Sequence, residues 1–194
     1  WLVPAGVWSF DGTHIGALNR LAEAAGAYVQ AHPTAMEFDI LPLYPTAPWD
    51  WSEVEPDYEI PSSLATREGI EWIEMPKYNR VYVSGTRDGV LGRVTRALTA
   101  GDVLAPMVTD PLTTTAAAAR QRGLPILANT GRIAKTTLRM PVLSETLAGG
   151  VIAPGKFVRY VDGAVTRLGI VRSTEVSMNG VADVWQNFEI ETHD

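Results

Sequence analysis

An α+β fold, a mostly antiparallel β-sheet or small β-barrel carrying two helices, is what the 194 residues predict, and three observations carry that prediction. The tight-turn dipeptides Asp88-Gly89, Asp162-Gly163 and Asn179-Gly180 sit between runs of alternating apolar and polar residues. Each supplies the positive φ of a two-residue hairpin turn. Residues 133–140 alternate Ile, Thr and Leu with Ala, Lys and Arg as one further strand. Two stretches read as helices, and helices beside hairpins make an α+β architecture.

The first helix is announced by caps and periodicity. Ser9 or Asp11 with Thr13 can start it, Ile15, Leu18, Leu21, Ala22 and Ala25 recur at helical spacing, and Gly26 suits its end. Residues 27–31 and 36–40 then read as two strands around a turn at His32-Pro-Thr34. A helix plus β-hairpin subdomain therefore occupies 1–45.

The chain next enters Ile40-Leu-Pro-Leu-Tyr-Pro-Thr-Ala-Pro-Trp-Asp-Trp51, three prolines and two tryptophans in twelve residues. Proline fixes φ and removes a donor, so the segment is expected extended or turning, with its aromatics free for packing. Five acids follow between Asp50 and Glu59, with weak periodicity, so 46–77 reads as a surface connector.

Hairpin flanks at 80–84 with 90–97, 156–161 with 165–171, and 175–178 with 183–192 define an antiparallel, barrel-like domain over 78–194. One helix is inserted there. Asp110 is its expected N-cap and Pro111 its first residue, 116–122 has high helical propensity, and Gly123 and Pro125 are expected to interrupt it, with a second short turn able to continue to Gly131.

Composition narrows the function. With 46% hydrophobic residues the chain can build a core without staples, and with no cysteine it holds no disulfide, thiolate metal site or Cys nucleophile. A net charge of −6 with scattered Lys and Arg disfavours a duplex-binding groove. No apolar run approaches the roughly 20 residues of a membrane span, so a soluble protein is expected. The start, Trp-Leu-Val-Pro-Ala-Gly, lacks an initiator Met, and a fragment of a longer chain is the expectation.

Signs of catalysis are weak. No G-x-G-x-x-G opens a helix, Gly155-Lys156 is followed by Phe157 rather than Ser or Thr, and the nucleophile elbow is absent. His14, His32 and His193 stand alone in their segments, so neither a triad nor zinc is suggested. Glu53, Glu55, Asp57 and Glu59 lie two apart and would share a face if extended; a solvated acidic edge is the simplest account, because EF-hand spacing is missing. Tyr44, Trp49, Trp51 and Trp72 are the candidate interface residues. They read first as packing or subunit contacts and second as a sugar-stacking platform.

Several segments together resemble one family, the hub and tail-tip proteins of phage tails, related to the baseplate hub of contractile phages and their prophage relatives. The likeness runs through Leu21-Ala-Glu-Ala-Ala-Gly26, Leu41-Pro-Leu-Tyr-Pro45 with Pro48-Trp49, and Tyr78-Asn-Arg-Val-Tyr-Val-Ser-Gly85. It continues through 113–123, Pro141-Val-Leu143, Ile152-Ala-Pro-Gly-Lys156, Gly169-Ile-Val-Arg172 and Trp185-Gln-Asn-Phe-Glu-Ile-Glu-Thr-His193. Most of the chain is covered, though no single motif is specific. Leu147-Ala-Gly-Gly150 departs from it by adding glycines where a tight loop is expected.

The resemblance implies small β-barrels with appended helices, assembled as a homo-trimer or ring that continues the tail tube and docks other tail proteins. It implies a virion structural protein made in the host cytoplasm, without catalysis, cofactor or membrane insertion. Genome DNA would pass through without specific binding, and Glu53, Glu55, Asp57 and Glu59, with Glu189 and Glu191, would line an acidic lumen that repels phosphates. The alternative from another class is a carbohydrate-binding or glycan-hydrolysing module acting on a cell surface. An unrelated antiparallel-β adaptor would share the fold without the ring.

Overall fold

A computed structural model of the chain describes residues 1–32, 34–86, 89, 91–142, 150–180 and 183–194. Asp88 and Val90 of the first hairpin signal, Pro33 of the early turn, and 147–149 of the glycine-rich loop lie outside the described residues. In chain order the elements are helix α1 (His14–Ala24), strands β1 (Ala27–Ala31) and β2 (Phe38–Pro42), a 3-10 turn (Pro48–Glu53), β3 (Tyr58–Pro61), a second 3-10 turn (Ser62–Leu64) and β4 (Arg67–Glu74). There follow β5 (Arg80–Ser84), β6 (Leu91–Thr95), β7 (Val108–Thr109), α2 (Ala116–Ala128), β8 (Arg132–Pro141), β9 (Phe157–Asp162), β10 (Val165–Met178) and β11 (Val184–His193). The α+β class and the mostly antiparallel pairing are as expected.

The division of the chain is not a succession of stretches. Two compact units form, each from two separate pieces: Trp1–Ala47 with Pro76–Thr130, and Pro48–Met75 with Gly131–Asp194.

In the first unit, α1 begins where the Thr13 hydroxyl accepts the Gly16 N–H at 3.2 Å and ends before Gly26, whose φ is +68°. The hairpin β1–β2 forms its own sheet, and β6-β5-β7 forms a second. Helix α2 differs from expectation at both ends. Thr115, not Asp110, caps it, and it runs through Gly123 and Pro125 to Ala128. Asp110 instead accepts the Leu112 N–H at 2.9 Å and pairs with Arg20 at 2.7 Å, its carboxylate almost wholly buried.

Proline inside a helix withholds the donor for the carbonyl four residues earlier, here that of Gln121. The break is tolerated because burial holds the helix down: Ala118, Ala119, Leu127 and Ala128 lie in the core, and Ala119 packs so closely on β6 that a Cβ at Gly92 would fall 2.2 Å from its methyl. Tertiary packing overrides local propensity here.

The second unit is a six-stranded sheet in the order β3-β9-β10-β11-β8-β4. Its core face carries Ile60, Leu138, Met140, Val158, Tyr160, Val171, Phe188 and Ile190, closed by Ile152. Strands β9 and β4 are four ladder steps apart, roughly 19 Å across a flat sheet. Yet the Tyr160 hydroxyl donates to Glu68 Oε2 at 2.8 Å, so the sheet curls strongly. Among the described residues no ladder joins β3 to β4, and the curl stops short of a closed barrel.

The stretch expected as a surface connector thus supplies both edge strands. β3 offers a single fully buried core side chain, Ile60, and β4 is exposed along nearly its whole length, so neither develops the period-two apolar signal of a half-buried strand. The second and third expected hairpins also share one long strand, β10, which changes partner from β9 to β11 with an irregularity between Val171 and Ser173.

Candidate functional site

The candidate aromatics are divided between the two units and differ in exposure. Tyr44 is 3% exposed in the first unit, whereas Trp49, Trp51 and Trp72 belong to the second. Pro48-Trp49-Asp50-Trp51 winds into a 3-10 turn, since proline is well suited to the first position of a helical turn. That turn half-buries Trp49 and drives Trp51, 5% exposed, against its own sheet. The Trp51 ring meets Phe157 edge-on at 5.5 Å and His193 edge-on at 5.1 Å. Trp72, 42% exposed on edge strand β4, lies under the Arg132 guanidinium at 4.1 Å.

The candidate acids split as well. Glu53 and Glu55 are exposed, and among the described residues no ion pair includes them. Glu59 faces Arg159 at 3.2 Å, and Asp57 binds Lys156 Nζ at 3.0 Å while accepting the Phe157 N–H at 2.8 Å. Parallel pairing of β3 with β9 sets Glu59 beside Arg159. Glu189 pairs with Lys135, and Glu191 takes a two-nitrogen grip from Arg172, both bonds 2.8 Å, plus His193 at 2.7 Å.

Burial pushes the Asp57 carboxyl up, but the Phe157 amide and the Lys156 ammonium outweigh it and hold it below its ordinary 3.8. A folded value below the unfolded one means that this contribution is fully present above about pH 4 and is lost as pH falls through the folded value. In urea titrations from about pH 5 down to pH 2, the unmodified chain is therefore expected to lose stability more steeply than Asp57→Asn. Parallel slopes would remove Asp57 from the acid response. Tyr160 is perturbed on the core side, where burial first and the Glu68 bond second push its hydroxyl well above its ordinary value.

Among the described residues no group of three or more His, Asp or Glu side chains is placed to hold a metal ion, and no helix is long and apolar enough to cross a membrane. What sequence reasoning missed is an exposed apolar row on the β1–β2 hairpin. Phe38 is 57% exposed, Ile40 53%, and Met36 wholly so. The register sets Phe38 opposite Ala31, Ile40 opposite Val29 and Pro42 opposite Ala27, giving one face without a polar side chain. The signal was the alternation at 36–40, which is the same whether the apolar side meets a core or solvent.

No protein-family model matches the sequence, and no curated protein matches it. The fold, by contrast, is similar to solved structures. The tail protein from Neisseria meningitidis MC58 superposes with a TM-score of 0.61 at 13% identity, over 95% of this chain and 56% of that one. The 43 kDa tail protein of prophage MuSo2 from Shewanella oneidensis gives 0.59 at 14% identity, over 94% of this chain and 55% of its own. The chain thus spans little more than half the length of either.

Proposed function

We propose that the chain is a structural component of a phage or prophage tail, acting in a hub or tail-tip ring that continues the tail tube and docks neighbouring tail proteins. The observation that carries this reading is fold likeness to two tail proteins over nearly the whole chain. Such a role needs contact surfaces rather than a reacting centre. The Phe38 and Ile40 face of the hairpin suits it, since contiguous exposed apolar side chains on a folded protein mark contact sites.

In this reading Trp49 and Trp72 make subunit contacts, while Tyr44 and Trp51 hold their segments in place from below. Any acidic lumen rests on Glu53 and Glu55, because Asp57 and Glu59 are neutralised by Lys156 and Arg159. The glycan-binding alternative loses its central ring, since Trp51 is packed under Phe157 and His193.

Light scattering on the protein as its gene encodes it tests the proposal. A mass of three or more chains is expected, falling toward one chain in Phe38→Asp with Ile40→Asp while circular dichroism stays unchanged. A strict monomer at high concentration would overturn the ring. An oligomer indifferent to the double substitution would move the contact away from the hairpin.

A further inference from the structure

We propose that the sheet of the second unit carries a binding site for a phosphoryl oxyanion, built on Arg67 and Arg139. The register places Arg67 of β4 directly opposite Arg139 of β8, and Arg139 opposite Asn187 of β11. Directly opposed side chains on an antiparallel pair have Cβ atoms about 4.5–5.5 Å apart, and like charges so placed repel each other. The chain carries 22 acidic residues that could relieve this, yet among the described residues no ion pair includes either guanidinium.

Arg139 is also held in place for binding. Its guanidinium lies 4.6 Å over the Trp185 ring, and its Nε is buried without a hydrogen-bond partner.

Around the two arginines an open depression of about 470 Å³ is bordered by Gly69, Thr137, Ser177 and Asn187. Glu68 borders it too, but its carboxylate is engaged by the Tyr160 hydroxyl. Gly69 leaves the space over its Cα clear, with no atom within 4 Å of where a Cβ would stand. Two planar forks, two hydroxyls and an amide offer more donors than one carboxylate accepts, which suits a tetrahedral phosphoryl group. The volume leaves room for an organic body bearing it. This site does not rest on the tail reading and stands or falls separately.

The test is calorimetric titration of the full chain, in phosphate-free buffer at fixed ionic strength, with inorganic phosphate, with glucose 6-phosphate, and with phosphatidic acid vesicles against phosphatidylcholine vesicles. Saturable binding of at least one phosphoryl probe is expected, weakened about tenfold or more in Arg67→Gln and in Arg139→Gln. Arg159→Gln, which changes the net charge equally, should bind as the unmodified chain does. The tightest probe distinguishes free phosphate, a soluble ester and a lipid headgroup. Circular dichroism monitors folding, and if Arg139→Gln fails to fold, Arg67→Gln on the exposed edge strand decides alone. No saturable binding at tens of millimolar, or equal weakening in Arg159→Gln, overturns the proposal.

Discussion

Trp51→Ala is expected to destabilise the second unit by about 3–5 kcal/mol, the range for truncating a fully packed large aromatic side chain. The indole is the buried side chain of its 3-10 turn and meets two rings edge-on, one on β9 and one on β11. Its removal leaves a cavity under Phe157 and strips one face from His193, whose ring helps to hold Glu191 and through it Arg172. Domains carry only about 5–15 kcal/mol in total, so the loss should lower the urea midpoint plainly. Trp51→Phe should recover part of it. A cost under about 1 kcal/mol would mean that the turn is held by its backbone and that the ring contributes little.

Gly26→Val should cost the first unit about 2–5 kcal/mol, from two separable sources. A φ of +68° is unfavourable for any residue with a Cβ, by about 1–2 kcal/mol. The Cβ itself would fall 2.2 Å from the Gln121 carbonyl oxygen and would also crowd Pro125, forcing the end of α1 away from α2, a displacement that typically costs about 1–3 kcal/mol. Gly6→Ala separates the two effects, because Gly6 has a φ of +76° and open space around it. It should show the backbone cost alone. Thermal melts of Gly26→Ala, Gly26→Val and Gly6→Ala settle the partition, and equal losses in all three would discount the collision.

Legibility followed periodicity. Strands β9, β10 and β11 could be read because Asp162-Gly163 and Asn179-Gly180 fix turns between alternating runs, and α1 because Thr13 and Gly26 bracket a helical stripe. Strands β3 and β4 could not, since an edge strand buries little and leaves no pattern, and because their partners lie far along the chain: Tyr58 pairs with Val158 and Arg67 with Arg139. The extent of α2 was hidden by Gly123 and Pro125, whose local penalties are outweighed by burial. Tyr44, Trp49, Trp51 and Trp72 looked like a group because three of them lie close in sequence. In an irregular segment such closeness says nothing about direction, and the chain leaves one unit for the other between Ala47 and Pro48. The opposed arginines were invisible for the same reason, since the pairing of β4 with β8 spans some 70 residues.

The interleaving of the two units sets a timetable for synthesis. Everything that the first unit needs has been made by Thr130, so it can fold while the rest of the chain is still being translated. Residues 48–75 emerge early but belong to a sheet whose remaining strands come last. They must wait, with Trp51 and Ile60 uncovered, until Phe157 and Tyr160 arrive about a hundred residues later. Long-range pairings of this kind fold slowly, and the waiting segment is where a nascent chain is most exposed to wrong partners. Its five acids and three prolines between 48 and 61 keep that stretch soluble and out of premature strand pairing during the wait.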